Sequence, residues 1–341
     1  MKKKMKKNVI LKFITGIYAV SLIVFGCLVL WQYMRVSVPV GQQKTERRYV
    51  YLVPGHGELY WSYVARGVRN ADEEGGSWTL LERYIEESKV ISCMENAILA
   101  DVDGIIMKSS RQAEEQIEMA HQADIPVIFF DSDIPGSSRD CYVGTDNYAI
   151  GKQAAELLVQ GMDGKGKILV ITRRKTALSQ VDRIRALEER LQSEPEMEIA
   201  EYLEDIGDKI TLKEELHRIL GEHPDIRGLL IMEEEASDTL PELLEKEGLD
   251  IEDFFTVSME FTSRTVEYLR RGKYDVILMQ KLKEIGAQSV KWLNQYIDCR
   301  ESGGSISLPD VINLETIAVT EENLDDVLGG YDVEDLEWNT Y

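Results

Sequence analysis

The sequence is poor in cysteine and histidine. Its 341 residues include four of each, with no CxxC pair and no His and Cys grouped at metal-ligand spacing. We therefore predict no disulfide framework, no metal and no cofactor; His56, for example, has no second or third ligand nearby in sequence. The sequence also contains no recognisable Ser/His/Asp or Cys/His signature, so we do not predict an enzyme.

Basic residues are scarce beyond the N-terminus. Residues 1–48 hold ten Lys and Arg residues and one Glu, which leaves 29 basic and 60 acidic residues, a net charge of −31, for the body of the chain. An acidic body repels a phosphate backbone, so we do not expect nucleic acid as a partner. A cleft within this body can still carry a local charge of either sign.

One long uncharged run follows the N-terminal lysines. It covers residues 13–34 and, at 22 residues, is long enough to cross a bilayer core, which takes roughly 20. The lysines predict a cytoplasmic tail at 1–12 and an extracytoplasmic body after a linker at 35–48. The alternatives are a cleaved signal peptide, whose apolar region is usually shorter, and lipidation at Cys27, beyond which the apolar run continues.

From residue 49 onward, short β-branched apolar runs alternate with amphipathic stretches of helical periodicity. This alternation predicts an α/β fold with two doubly wound parallel sheets. Strands are expected near 49–53, 78–82, 104–107, 127–130, 141–144, 167–171, 198–203, 228–232, 255–257, 276–279 and 310–314. The segment 320–341 contains eight acids and no base, and is expected to be a flexible surface segment or an irregular wrap.

Ligands of open parallel sheets bind at the carboxyl ends of the strands. The polar residues that follow the apolar runs are therefore the candidates for a binding site. They lie at 56–61, 108–110, 131–133, 145–147, 172–175, 233–235, 260 and 280.

Several stretches, taken in order, resemble a known family. They are YLVPGHGELYWSYVARGV, ADVDGIIM, ADIPVIFFDSD, VGTDNYAIGKQAAELL, HPDIRGLLIMEEEA and RRGKYDVILMQ. Over 49–319 their order and spacing resemble the type I periplasmic binding proteins for sugars, in particular the ribose- and galactose-binding branch. That family also includes soluble repressors, but this chain has an apolar anchor where those have a DNA-binding headpiece.

The resemblance implies two lobes joined by a hinge of three crossovers, with a solute held between them. The first lobe would comprise 49–146 and 281–309, and the second 147–280 and 310–319. It also implies ligand positions, of which Tyr60, Trp61, Asp131 and Gln280 match the family in residue type. From the residues alone, the aromatic pair could instead be core, Asp131 a turn cap and Gln280 part of the hinge.

Other ligand positions implied by the resemblance depart from the family. Glu58 and Glu233 stand where Asn is usual, Ser132 where Arg is usual, and Glu260 where Asp is usual. Val181 replaces a ligand-binding Arg, although Arg183 keeps the next Arg of that motif. With two cations missing and acids added, we expect neutral polyols, amino sugars or cationic solutes rather than sugar acids. Residues 233–235 could equally be a solvated loop.

These features together predict an extracytoplasmic solute-binding protein at the cell membrane that captures a sugar, polyol or amino sugar for an ABC-type transporter. The alternative is a membrane-anchored sensor that reports solute occupancy to a partner such as a histidine kinase. No kinase or DNA-binding segment follows the body, so on this alternative a signal passes to another chain.

Overall fold

The computed structural model describes residues 47–54, 59–75, 77–84, 86–204 and 208–329. Within these ranges strands and helices alternate, as the sequence predicts. The strands are β1 (Arg47–Pro54), β2 (Ser77–Tyr84), β3 (Gly104–Lys108), β4 (Val127–Phe130), β5 (Cys141–Gly144), β6 (Gly166–Thr172), β7 (Met197–Glu204), β8 (Ile226–Met232), β9 (Phe255–Ser258), β10 (Val276–Met279), β11 (Val311–Asn313) and β12 (Ile317–Val319).

The helices connect these strands and cover the sheets. They are α1 (Leu59–Gly75), α2 (Glu87–Leu99), α3 (Glu114–Gln122), α4 (Asn147–Gly161), α5 (Leu178–Leu191), α6 (Lys209–Glu222), α7 (Glu234–Lys246), α8 (Ser263–Arg270), α9 (Leu282–Glu301) and α10 (Leu324–Leu328).

In the described residues the strands form two six-stranded sheets. The first has the order β11-β5-β4-β3-β1-β2 and is parallel throughout. The second has the order β12-β10-β9-β8-β6-β7 and is parallel except for β12, which runs antiparallel to β10. The predicted α/β fold with mainly parallel sheets is therefore confirmed.

Each sheet is buried on both faces, which explains why its strands are continuous apolar runs rather than alternating ones. In β1, Val50 and Leu52 belong to one core cluster, whereas Tyr49 and Tyr51 belong to another, because neighbouring side chains point to opposite faces. The second sheet repeats the arrangement in β6, where odd- and even-numbered residues divide between two further clusters. Each sheet with its covering helices therefore forms one lobe.

The chain passes three times between the two lobes, between β5 and α4, between β10 and α9, and between β11 and β12. The last passage differs from the expectation that residues 310–319 as a whole belong to the second lobe. Val311–Asn313 pairs with β5 of the first sheet, and only Ile317–Val319 pairs with β10 of the second. The strand expected near 310–314 corresponds to β11, whereas β12 is not predicted, because a three-residue edge strand has too few positions to show a pattern.

The predicted membrane anchor and the predicted acidic tail flank the body of the chain. None of the helices in the ranges given above is long and apolar enough to span a membrane, and the predicted anchor at 13–34 and tail at 1–12 lie outside those ranges. At the other end, α10 lies within the predicted acidic tail, and its Leu324 is buried against the core of the second lobe. Residues 330–341 lie outside the described ranges.

Helices α1 and α9 cross at two glycines in the first lobe. A Cβ added to Gly67 would lie 1.9 Å from the backbone oxygen of Lys283, and one added to Gly286 would lie 2.1 Å from that of Val64. Backbone atoms cannot move aside as the tip of a side chain can, so both positions require glycine. The crossing fixes α9, which begins directly after the second crossover, on the first lobe.

We expect Gly67→Ala to destabilise the protein by about 1–3 kcal/mol, because the added methyl group overpacks this crossing. Thermal denaturation followed by circular dichroism measures the change, with a lowering of Tm of roughly 2–4 °C per kcal/mol. Gly221→Ala is the matched control. Gly221 lies in helix α6 with no atom within 4 Å of an added Cβ, so alanine should stabilise by about 0.5–1 kcal/mol. Equal melting temperatures for the two variants would contradict the close approach.

Candidate functional site

A cavity of about 140 Å³ lies between the lobes, at the carboxyl ends of the strands of both sheets. We call it the interlobe cavity. The residues that line it lie at or just beyond the ends of β3, β4, β6, β8, β9 and β10, or near the N-termini of α1, α5 and α7. They are Trp61, Lys108, Asp131, Arg173, Ala177, Ser179, Gln180, Arg183, Met232, Glu233, Glu234, Glu260 and Gln280.

Five of the eight ligand positions expected from the sequence line this cavity. They are Trp61, Asp131, Glu233, Glu260 and Gln280. Glu58 and the side chain of Tyr60 lie outside the described part of the chain. Ser132 does not line the cavity, although it is buried next to it and its Oγ donates a hydrogen bond to Asp131 Oδ2 at 2.9 Å.

Asp131 is held on several sides. Its backbone adopts a left-handed conformation, with φ of 72°, which Asp and Asn tolerate better than most residues. Its carbonyl oxygen accepts hydrogen bonds from Tyr142 Oη at 3.1 Å and Asn147 Nδ2 at 3.4 Å. Lys108 Nζ lies 4.0 Å from its Oδ2. The backbone conformation of Asp131 therefore directs its carboxylate toward the cavity, and the side chain does not act as a cap of the following turn.

Trp61 supplies the aromatic wall of the first lobe. Its ring packs edge-on against Phe130, with centroids 5.9 Å apart, and is 8% exposed. Lys108 Nζ stands 5.4 Å from the ring centroid, within the range of a cation–π interaction. The aromatic wall of the first lobe is therefore accompanied by an ammonium group.

Glu233 serves two purposes at the wall of the second lobe. It is the N-cap of α7, and its Oε2 accepts a hydrogen bond from Ala236 N at 2.7 Å. Burial raises the pKa of its carboxyl, and hydrogen bonds from the backbone of Ala236 and Glu235 oppose that shift. The alternative of a solvated loop is wrong for residues 233–235, because Glu234 and Glu235 form the first turn of the helix.

Arg183 and Gln180 extend the site along one face of α5. Both are buried, and three residues apart on a helix they are neighbours. Arg183 Nε donates to Asn147 Oδ1 at 2.8 Å, and Nη1 lies 3.8 Å from Met259 Sδ. Gln180 Oε1 accepts no hydrogen bond in the described structure.

Lys108, Arg173, Gln180 and Arg183 also line the cavity, although they are not among the eight ligand positions implied by the resemblance. Lys108 and Arg173 lie within the ranges 108–110 and 172–175, which the strand-end rule includes among the candidates for a binding site. Arg183 is the Arg that the family's motif keeps after Val181, whereas Gln180 has no signal in the sequence, because a helix reaches the cavity from its N-terminal turns. Val181, between them, is 46% exposed and does not line the cavity.

One group of possible metal ligands occurs elsewhere in the described residues. Single ligand atoms of Glu201, Glu222 and His223 lie within 4.8 Å of one another. Arg218 already occupies this group, since Nη2 lies 2.6 Å from Glu201 Oε1 and Nη1 lies 2.9 Å from Glu222 Oε2. The group is therefore explained as a surface ion-pair network.

The sequence model of one protein family, the periplasmic binding protein domain, matches residues 49–301. The chain belongs to this family. Among curated proteins nothing matches the chain.

Solved structures give the same fold. A glucose-galactose binding protein, GanP, from Geobacillus stearothermophilus is 25% identical, with 82% of this chain and 99% of that one covered and a TM-score of 0.71. An ABC transporter solute-binding protein from Burkholderia graminis in complex with D-arabinose is 21% identical, covering 83% and 98%, with a TM-score of 0.74. A XylFII-LytSN complex matches at 19% identity, covering 81% and 98%, with a TM-score of 0.70. At 21% and 19% identity, these two likenesses concern the fold alone.

The lobes also touch through an apolar contact beside the cavity. Leu178, the first residue of α5 in the second lobe, packs against the core cluster of the first lobe that contains Ile134 and Tyr142. This partly buried side chain contributes to holding the lobes together because apolar area is removed from water only while they touch.

We expect Leu178→Ala to shift the protein toward more open conformations. Losing about 1–2 kcal/mol of apolar burial changes the ratio of closed to open forms by roughly 5- to 30-fold. Small-angle X-ray scattering measures the result as a larger radius of gyration. Ile210→Ala, which truncates an exposed apolar residue in the first turn of α6, should leave the radius unchanged. The contact would be irrelevant to closure if both variants scattered like the parent.

Proposed function

We propose that this protein binds a small polar solute, a carbohydrate, between its two lobes. The observation that carries the proposal is the interlobe cavity itself, where polar and charged side chains from both lobes converge around Trp61. Its volume of about 140 Å³ is below the roughly 300–1,000 Å³ of sites for drug-sized ligands, which favours a solute of monosaccharide size.

The chemistry of the lining supports a polyhydroxylated ligand. Carboxylates such as those of Asp131 and Glu260 accept hydrogen bonds from hydroxyl groups, whereas the amide of Gln280 both donates and accepts. Neighbouring hydroxyls of a sugar need this mixture. The solutes named for GanP and for the Burkholderia graminis protein, glucose-galactose and D-arabinose, support the same class.

We further propose that the protein works outside the cytoplasm, tethered by residues 13–34, and passes its solute to an ABC-type transporter. The similar solute-binding protein from Burkholderia graminis, which carries the description of an ABC transporter component, supports this role. The proposed role is capture and release, so solute recovered from the protein should be chemically unchanged.

A second candidate function is sensing, in which occupancy of the cavity is reported to a membrane partner. The XylFII-LytSN complex favours it, because there a structure similar to this chain is in complex with another protein. The two functions share the same closure equilibrium and differ only in the partner that responds to it.

Affinity purification of the tagged full-length chain from detergent-solubilised membranes of its own cells distinguishes the two functions. With the solute present, transport predicts recovery of permease and ATPase subunits, and sensing predicts recovery of a histidine kinase. Gene neighbourhood offers an independent check, since permease and ATPase genes beside this gene favour transport. Recovery of the kinase without permease subunits would contradict the transport role.

We expect a sugar to raise the melting temperature of the full-length chain in detergent, because a ligand that binds only the folded state adds about 2.7 kcal/mol at 100 times its Kd. A panel of sugars, sugar acids, polyols, amino sugars, amino acids and polyamines identifies the class. Asp131→Asn should weaken the best binder by roughly 10- to 100-fold in calorimetry, since a hydrogen bond to a charged group is worth about 1.5–3 kcal/mol.

Asparagine is chosen at this position because it tolerates the left-handed backbone of Asp131. Asp124→Asn is the matched control, since Asp124 has a φ of 58° and lies before β4, at the end of the strand away from the cavity. Equal losses in the two variants would count against the cavity as the site, and the absence of a thermal shift with every compound would count against solute binding.

A further inference from the structure

A second cavity between the lobes, of about 480 Å³, lies at the second crossover. We call it the hinge groove. Gln280 lines the interlobe cavity, and the next residue, Lys281, lines the hinge groove. One wall is the start of α9 on the first lobe, and the other is formed by β12 and α10 of the second lobe. The side chains that the argument uses are Lys281, Lys283, Glu284, Ile317, Asp326 and Val327.

The hinge groove differs in charge from the rest of the body. Lys281 and Lys283 line it together with two acids, Glu284 and Asp326, and Lys281 Nζ lies 3.7 Å from Glu284 Oε2. The charges of this lining balance, whereas the body as a whole has 29 basic and 60 acidic residues. An acidic segment therefore meets less repulsion in the hinge groove than over most of the surface.

Part of the lining is apolar. Ile317 and Val327 pack against the core of the second lobe, are only partly buried, and line the hinge groove. The volume of about 480 Å³ is within the roughly 300–1,000 Å³ of sites that hold an organic ligand. The hinge groove can therefore accept apolar side chains as well as charged ones.

Helix α10 leads the chain to the hinge groove. Asn323 fixes the start of α10 on the second sheet, because its Nδ2 donates to the carbonyl oxygen of Ala318 and its Oδ1 accepts from the amide of Thr320, both at 2.9 Å. Leu324 is buried in the core of the second lobe. The helix ends at Leu328, one residue after Val327. Residues 330–341 therefore start beside the hinge groove.

The sequence of residues 330–341, GYDVEDLEWNTY, combines acidic and large apolar residues. It contains four acids, no base and three aromatic residues. Acidic segments that stay in water have few aromatic residues, because they have no apolar surface to bury. Removing side chains such as Leu336 and Trp338 from water is favourable. The composition therefore indicates a contact with a partly apolar surface.

Tethering favours the hinge groove over other surfaces. Twelve residues reach at most about 40 Å, and a short flexible tether gives an effective concentration in the millimolar range. A second groove of about 250 Å³ lies between α6 and α7, lined by Leu216 and Lys213 among others. Helix α10 lies instead beside α8, where Arg270 pairs with Asp325 at 3.3 Å. The hinge groove is thus the cavity that the chain meets first.

We propose that residues 330–341 occupy the hinge groove of their own chain, with apolar side chains against Ile317 and Val327 and carboxylates toward Lys281 and Lys283. The segment would then connect α10 of the second lobe with α9 of the first. Its binding favours the arrangement of the lobes in which the two walls have this separation, because a ligand shifts an equilibrium toward the state that it binds better. The proposal does not depend on the identity of the solute.

Carbodiimide cross-linking of the full-length chain in detergent tests the proposal, because the reagent joins a lysine to a carboxylate only when the two are in contact. Mass spectrometry of the digested protein then locates the linked residues. We expect links from Lys281 or Lys283 to at least one of the four acids in 330–341. Lys273 and Asp250, whose Nζ and Oδ1 lie 3.3 Å apart, provide the internal control for the reaction.

A double variant separates binding from chance encounters of a nearby segment. Leu336→Ala with Trp338→Ala keeps all four acids but removes most of the apolar surface, so the yield of these links should fall roughly 10-fold. Asn339→Ala with Thr340→Ala is the matched control and should leave the yield unchanged. An unchanged link between Lys273 and Asp250 shows that each variant is folded.

Four outcomes would overturn the proposal. The first is an equal yield in both double variants, and the second is a set of links from 330–341 to Lys213 instead of Lys281 and Lys283. The third is the absence of any link from this segment while Lys273 and Asp250 react. The fourth, in a mixture of ¹⁵N-labelled and unlabelled chains, is a link between the two kinds of chain, which would assign the hinge groove to a second copy. Solute binding in the interlobe cavity is unaffected by any of them.

Discussion

The side-chain amide of Asn147 joins the parts of the candidate site that come from different lobes. Its Nδ2 donates to the carbonyl oxygen of Asp131, which ends a strand of the first sheet, and its Oδ1 accepts from Arg183 on α5 of the second lobe. Asn147 itself begins α4, directly after the first crossover. A passage of the chain between lobes therefore also sets the positions of two charged groups in the cavity. Movement of the lobes must pivot close to this amide or break its bonds.

This arrangement explains why the site lies where it does. All the strands that supply residues to the cavity end at it, because parallel strands within a sheet point the same way and the crossovers turn the carboxyl ends of the two sheets toward each other. The position of the cavity could therefore be predicted from strand ends alone. Trp61, Asp131, Glu260 and Gln280 follow from that rule together with the resemblance to the family.

The parts of the fold that were not predicted have particular physical causes. Strand β12 is defined by its hydrogen bonds to β10, and three residues are too few for a hydrophobic period to appear. Helix α7 begins at Glu234, within the run 233–235 that the sequence left open as a solvated loop, because the buried carboxylate of Glu233 caps it. Glutamate is not a preferred capping residue, so composition indicated a loop where tertiary burial selected a helix.

The charge of the cleft shows a different limit of reading a sequence. Counting acids and bases treats each charge as equivalent. The free-energy cost of a buried charge, however, depends on its nearest partners, and these come from segments far apart in the chain. Arg183 meets Asn147 from 36 residues away and Met259 from 76. In the sequence, Arg183 looks the same as Arg185, which forms an ordinary surface ion pair with Asp182 on the same helix. The two arginines differ in burial and in their partners. Arg183 is thus buried at the cavity while Arg185, two positions further along the same helix, is exposed, and only the fold distinguishes them.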